Sequence, residues 1–228
     1  RVDAAYERLL SREISGAPTH VAVIQDGNRR YARKQGGDAH EGHRAGAKTT
    51  ERVLEWCQDI GVEELTLYAF STENFERPPD EREALFDLLE EKLREFADAD
   101  RVHDNEVHIR ALGDVDRLPE RVREAVAYAE DRTSDYDEFV LNIALAYGGR
   151  AQLLEAVRGV ADAVDAGELA PDEIDVEDIE QRLYDQPVRD VDLIIRTGGD
   201  ERTSNFLPWH ANGNEAAVFF CTPYWPEF

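Results

Sequence analysis

His20-Val-Ala-Val-Ile-Gln-Asp-Gly-Asn-Arg-Arg-Tyr-Ala32 sets one carboxylate between a short apolar run and a cluster of cations. Val21 to Ile24 has the length and composition of a strand buried in a parallel sheet. Asp26, Gly27 and Asn28 break it as turn residues. Arg29, Arg30, Arg33 and Lys34 follow on what reads as the first turns of a helix. In an open α/β sheet, ligands bind at the carboxyl ends of the strands. A carboxylate able to hold Mg²⁺, beside cations and free helix N–H groups able to hold phosphate, points to a magnesium–diphosphate site. Taken alone, the same residues also fit an Asp-Gly turn ahead of a solvated basic helix.

Outward from this stretch, strand-like runs alternate with helical ones. The strands are expected at 65–70, 107–112, 139–145, 192–196 and 217–221. Helices are expected at 43–60, 80–104, 119–133, 150–166 and 176–184, with an amphipathic N-terminal helix within residues 1–17 and a flexible loop over 36–42. Such alternation calls for an α/β fold, a mainly parallel six-stranded sheet flanked by helices. No repeat, low-complexity tract or linker divides the 228 residues, so one domain over 1–228 is the economical reading.

Composition narrows the partners. The net charge is −24, from 50 acidic against 26 basic residues, which argues against nucleic acid as a ligand. Lys34, Lys48 and Lys92 are the only lysines. Acidic excess with so little lysine suits a salt-rich cytoplasm, where screening removes self-repulsion. Cys57 and Cys221 lack metal-ligand spacing and read as small buried hydrophobes. No run approaches the roughly 18 apolar residues of a membrane span, and no signal-like start is present, so a cytoplasmic protein is expected. The sequence begins at Arg1 and holds no methionine, so it is expected to lack its initiator residue.

Against that acidic background, cations gather at the strand ends. The second strand ends in Ser71-Thr-Glu-Asn74 with Arg77 beyond, and the fifth in Arg196-Thr-Gly-Gly199 followed by Arg202-Thr-Ser-Asn205. With Asp26 and its arginines these would share one edge and form a pocket for a polyanion, diphosphate being the natural candidate. The P-loop, the dinucleotide fingerprint, the nucleophile elbow and zinc spacings are all absent. So are the Asp-Asp-x-x-Asp pairs of the all-trans prenyl synthases.

Four stretches, His20–Ala32, Gly42-His-Arg-Ala-Gly46, Leu65-Thr-Leu-Tyr-Ala-Phe-Ser-Thr-Glu-Asn-Phe-Glu-Arg-Pro78 and Arg196-Thr-Gly-Gly-Asp-Glu-Arg-Thr-Ser-Asn-Phe-Leu207, together resemble the cis-prenyltransferases. Undecaprenyl diphosphate synthases are the members most like it, and the resemblance runs from about residue 18 to the end. It implies repeated condensation of isopentenyl diphosphate onto an allylic prenyl diphosphate, each new double bond cis. The product would be a long polyprenyl diphosphate, the precursor of a glycosyl-carrier lipid.

By the same resemblance Asp26 and Glu215 handle Mg²⁺. Gly27, Asn28, Arg29 and Arg30 take the allylic diphosphate, and Tyr31 packs near the allylic chain. Arg196, Arg202, Thr203 and Ser204 take the isopentenyl diphosphate. His43, Ser71 and Asn74 lie in motifs tied to proton removal and diphosphate release, and Thr72, Glu73, Phe75 and Arg77 belong to the same substrate-binding segment. An amide is a poor base, so Asn74 needs a diphosphate oxygen or water beside it. An apolar product tunnel is expected, walled by Leu85, Phe86, Leu88, Leu89 and Leu93 with Ala69 and Phe139. A homodimer and peripheral membrane contact for product release are also implied.

The chain departs from the family at Ala39, Glu41 and Glu201, and it stops at Phe228 where members run on into a tail. The acidic, lysine-poor composition suggests an archaeal halophile and favours geranylgeranyl over farnesyl diphosphate as primer. The rival readings are a non-catalytic partner subunit, which would lack the Asp-Gly-Asn motif, and a magnesium-dependent prenyl diphosphate phosphatase.

Overall fold

The computed structural model describes residues 16–213 and 216–228. The expected N-terminal helix and Glu215 lie outside the described residues. The chain runs β1 (His20–Ile24), α1 (Asn28–Gln35), α2 (Ala39–Ile60), β2 (Glu64–Tyr68), a 3₁₀ turn (Thr72–Glu76), α3 (Pro79–Ala97), α4 (Asp100–Asp104) and β3 (Val107–Leu112). It continues through α5 (Glu120–Arg132), β4 (Phe139–Ala144), α6 (Gly149–Asp165), α7 (Val176–Leu183), β5 (Leu193–Arg196), α8 (Pro208–Gly213) and β6 (Ala217–Phe220), and ends in a 3₁₀ turn (Trp225–Glu227).

The six strands form one sheet in the order β3-β4-β2-β1-β5-β6, and every pairing is parallel. From β1 the chain builds outward on one side through β2, then returns to place β5 on the other. The order therefore reverses between β1 and β5, and a crevice opens at their carboxyl ends.

Strand alternation sends Val21, Val23, Leu65 and Leu67 to one face, where α2, α3 and α5 bury the larger core. Ala22, Ile24 and Ile194 face the other way, against Tyr147, Phe206 and Leu207. That second face also carries a buried polar row. Arg110 Nη2 donates to Glu64 Oε1 at 3.2 Å, and Asn142 Nδ2 donates to Glu64 Oε1 at 2.6 Å and Thr66 Oγ1 at 3.0 Å. The Thr66 hydroxyl donates to His20 Nε2 at 2.7 Å, while His20 Nδ1–H donates to the Arg189 carbonyl at 2.8 Å. Each member is satisfied, which is what permits charge inside a sheet face.

Three expectations are corrected. The segment 36–42 is not a loop throughout, because Asp38 caps α2 by accepting from Glu41 N at 3.0 Å and the helix starts at Ala39. The single helix over 80–104 is two: α3 stops at Ala97, and Ala99 turns extended (φ −72°, ψ 128°) so that Val102 can enter the core. Cys221 is half-buried, in contrast to the buried Cys57, and both thiols are free.

The outer edge of β3 is closed by side chains of α5 and its end. Ile109 N donates to Thr133 Oγ1 at 3.0 Å and Ala111 N to Glu130 Oε1 at 2.8 Å. These are the alternate N–H groups that an unpaired edge would leave open. At the other edge, Val218 and Phe219 of β6 stand 42% and 54% exposed.

Candidate active site

Asp26 hangs from the end of β1 in a backbone clamp. Its N–H donates to Thr197 Oγ1 at 3.1 Å, and its carbonyl accepts from the Thr197 hydroxyl at 2.7 Å and from Trp225 N at 2.9 Å. Gly27 follows with φ 104°, a conformation side chains rarely adopt, and a Cβ there would stand 2.7 Å from Tyr224 Cδ1. The turn thus requires glycine on both counts. Arg196 Nη2 approaches Asp26 Oδ2 at 2.7 Å, and Arg30 Nη2 approaches Oδ1 at 3.1 Å. Burial opposes ionisation of Asp26, but the hydrogen bond and charge of Arg196, with those of Arg30, outweigh it and hold the carboxyl below its ordinary range.

Arg196 ends β5 and is almost wholly buried. Its Nη1 donates to the Arg202 carbonyl at 2.6 Å and to Ser204 Oγ. Ser204, Asn205 and Leu207 all carry positive φ (50°, 61° and 45°), a strained run in non-glycine residues that brings Ser204 back onto Arg196. Strain of this kind concentrates where a ligand must be held.

After β2, Ser71 and Asn74 lock one another. Ser71 N donates to Asn74 Oδ1 at 2.9 Å, and the Asn74 backbone N–H donates to the Ser71 carbonyl at 3.0 Å. Because a backbone N–H can only donate, the facing atom of Asn74 is its oxygen. The group left to face a substrate is the amide N–H₂, a donor. Arg77 Nη1 meets Glu81 Oε1 at 2.7 Å, and Arg29 Nε meets the same oxygen at 3.3 Å, so Glu81 ties α1 to the start of α3.

His43 sits in the first turns of α2. Burial, with Arg77 nearby, pushes its pKa down to about 4, so the ring is neutral at pH 7. Its Nε2 is buried and has no hydrogen-bond partner among the described residues. A buried polar atom left open in this way is costly unless something binds there.

These groups border a cavity of about 400 Å³. Asp26, Asn28, His43, Ser71, Glu73, Asn74, Arg77, Arg196, Arg202 and Ser204 line its polar mouth. Leu85, Leu88, Leu89, Leu93 and Phe96 of α3, Ala47 and Thr50 of α2, and Leu67, Ala69 and Ile143 line its apolar depth. Of the residues expected to wall a tunnel, Leu85, Leu88, Leu89, Leu93 and Ala69 line this cavity, but two others belong elsewhere. Phe86 packs against Phe70 and Phe75, and Phe139 starts β4, at the amino-terminal end of the strands; both are buried in the core.

Gly27, Arg29, Arg30, Tyr31, Thr72, Phe75 and Thr203 stand outside the lining. Of these, Arg30 reaches Asp26 directly and Arg29 joins Arg77 through Glu81. Phe75 packs edge-on to Phe70 with the Arg117 guanidinium 4.4 Å above its ring, and Thr72 faces a cleft behind the turn. Two carboxylates escaped the sequence reading: Glu81, and Asp200, which stands among Arg30, Arg196 and Arg202. Each follows an arginine by four residues, Arg77 and Arg196, a spacing too common in so acidic a chain to single either out.

The donor set suits a hard cation. Asp26 is ionised, and each oxygen keeps a lone pair beyond its guanidinium contact. Mg²⁺ takes one or two carboxylates and completes its shell with water and phosphate oxygens.

The family model described as "Putative undecaprenyl diphosphate synthase" matches residues 24–228. The chain is 76% identical over 225 residues to the tritrans,polycis-undecaprenyl-diphosphate synthase (geranylgeranyl-diphosphate specific) of Halobacterium salinarum, covering 99% of this chain and 74% of that protein. The protein of the same name from Haloarcula marismortui is 68% identical, with the same shares covered, 99% and 74%. Among solved structures, lavandulyl diphosphate synthase from Lavandula x intermedia, in complex with dimethylallyl diphosphate, superposes with TM-score 0.85 at 33% identity, covering 92% of this chain and 89% of that one. A probable undecaprenyl diphosphate synthase from Campylobacter jejuni gives 0.74 at 33% identity, covering 93% and 89%.

Proposed function

The chain belongs to the undecaprenyl diphosphate synthase family, and from that premise we propose how its own residues divide the work of a cis-prenyltransferase. The enzyme condenses isopentenyl diphosphate repeatedly onto an allylic diphosphate. In each cycle the allylic C–O bond breaks, its electron pair leaves with the diphosphate, the isopentenyl double bond supplies the new C–C bond, and a proton is lost to give the cis double bond.

Asp26, Asn28, Arg29 and Arg30 take the allylic diphosphate, and Arg196, Arg202 and Ser204 take that of isopentenyl diphosphate. The observation that carries this division is the pair of guanidinium contacts on Asp26, one from each set, which brings the two anion seats to opposite sides of a single carboxylate. Arg30 and Arg196 then face the charge that grows on the departing diphosphate. Mg²⁺, held by Asp26 with Glu215, would supply further charge neutralisation there.

Asn74 is an amide and so a poor base, and its oxygen already accepts from Ser71 N. It donates instead, orienting a diphosphate oxygen that receives the proton. Neutral His43, with its open Nε2, provides a second hydrogen-bonding partner at that point.

Geranylgeranyl diphosphate is the primer, on the strength of relatives named for it. The apolar depth between α2 and α3 receives the growing chain. At about 400 Å³ it is of the size that encloses a small ligand and much smaller than an undecaprenyl chain needs, which supports passage of the far end outward toward a membrane surface. No described helix is long and apolar enough to cross a membrane. The open edge of β6, with Val218 and Phe219 exposed, supports pairing with a second copy.

Product analysis tests the reading. With isopentenyl diphosphate, Mg²⁺ and high KCl, the protein extends geranylgeranyl diphosphate faster than farnesyl diphosphate, and Asp26→Ala yields no long product. Free phosphate without chain growth would point to a phosphatase. Silence with both primers would point to a partner subunit.

A further inference from the structure

Asp200 shares Arg30 and Arg196 with Asp26. Its Oδ2 lies 3.1 Å from Arg202 Nη2, 3.5 Å from Arg196 Nη2 and 3.7 Å from Arg30 Nη2. Three guanidinium groups thus converge on one carboxylate oxygen. Like charges so close require counter-charge between them. Asp26 gives it to Arg30 and Arg196, but among the described residues Asp200 is the sole ion-pair partner of Arg202.

The three arginines differ in how firmly they are held. Arg196, with a side chain 4% exposed, is fixed by the Arg202 carbonyl, Ser204 and Asp26. The Arg202 side chain is 64% exposed and has no other such anchor. A free arginine carries rotamer entropy that a ligand must otherwise overcome on binding. The Asp200 backbone, in contrast, is well placed to act as a fixed point. It follows Gly198 and Gly199, both left-handed (φ 88° and 79°), whose N–H groups donate to Pro223 O at 2.7 Å and Cys221 O at 2.9 Å. A Cβ on Gly198 would meet Arg30 Nη2 at 2.7 Å, so the same turn also makes room for that guanidinium.

We propose that Asp200 is a positioning residue. Its carboxylate pre-arranges Arg202, in register with Arg196, for the diphosphate of isopentenyl diphosphate. It acts through the arginines and lowers the ordering cost of binding. The inference rests on the assignment of Arg196, Arg202 and Ser204 to that diphosphate.

Titration calorimetry with isopentenyl diphosphate, alongside steady-state kinetics, tests it on wild type, Asp200→Asn and Asp200→Glu. In Asp200→Asn, which keeps the shape and removes the charge, Kd and KM for isopentenyl diphosphate rise about tenfold, as expected for a lost charge-assisted contact. KM for the allylic primer moves less than about twofold, the unfolding midpoint stays at the wild-type value, and Asp200→Glu recovers most of the loss, because the carboxylate and not the exact length is what Arg202 needs. Unchanged binding in Asp200→Asn overturns the proposal. Tighter binding also overturns it, since that is the behaviour of a carboxylate that competes for the anion seat. Equal losses for both substrates, or a matching fall in the unfolding midpoint, would make Asp200 a structural residue. Failure of the underlying assignment looks different: wild type itself then shows no binding of isopentenyl diphosphate.

Discussion

His43 shows how one side chain reports the polarity of its pocket. Burial holds its pKa near 4, while in the unfolded chain it returns to about 6.5. Between those values the unfolded state binds the proton and the folded state does not, so stability falls as pH drops from about 6.5 to about 4 and levels off below. His20 and His210, lowered chiefly by burial as well, act in the same direction. Asp26 works in a separate window: its lowered carboxyl stabilises the fold above the ordinary value of 3.8 and loses that contribution only in stronger acid. His43→Gln is therefore expected to flatten the unfolding midpoint between about pH 6.5 and 4 without altering the steeper loss in stronger acid. Thermal unfolding across that range checks it. At this scale much was legible: Asp26, Arg196 and Ser204 are motif residues, and the structure brings all three together. Asp200 and Glu81 were not, because an acidic residue in a chain with 50 of them carries no signal until its three-dimensional neighbours are known.

Among the elements, β2 shows where local pattern and tertiary demand part company. Alternation along Glu64–Tyr68 sends Leu65 and Leu67 to one core and leaves Glu64 and Thr66 on the other face. A strand that opens on glutamate reads as leaving the core there, and the sequence reading began it one residue later. The structure instead buries Glu64 to 1% exposure because Arg110 from β3 and Asn142 from β4 arrive to satisfy it. Breaking such a pair leaves a buried guanidinium uncompensated, at a cost of about 3–5 kcal/mol. Glu64→Ala is expected to lower the stability by that order in denaturant titration while leaving KM for both substrates unchanged, since the row lies away from the cavity. The division of the 80–104 segment into α3 and α4 was hidden for a related reason. No glycine or proline marks Ala97–Ala99, and the break follows from where Val102 must go.

For the whole molecule, the net charge of −24 sets the terms on which copies can meet. One sheet edge is closed by Thr133 and Glu130, and the other exposes Val218 and Phe219. If the β6 edge is the surface on which two copies associate, repulsion between them must first be screened. From about 0.1 M to about 1 M KCl the Debye length falls from about 10 Å to about 3 Å. Sedimentation equilibrium is expected to show dimer increasing over that range in wild type, and Phe219→Asp to remain monomeric throughout. Dimer at low salt, or an unaffected variant, would assign the edge no such role.

By itself the sequence determined the parallel α/β class, the strand ends where the cations gather and the family, because these depend on hydrophobic period, turn residues and long motifs, all local in the chain. Strand order, the reversal between β1 and β5, the capped β3 edge and the convergence of Arg30, Arg196 and Arg202 on Asp200 were decided only by the tertiary structure. The same holds for the assignment of Leu88 to the cavity and of Phe86, two residues earlier on the same helix, to the core. The physical reason is common to them all. Each depends on which distant segments pack together, and a charge or an apolar side chain acquires its role from the neighbours that packing supplies.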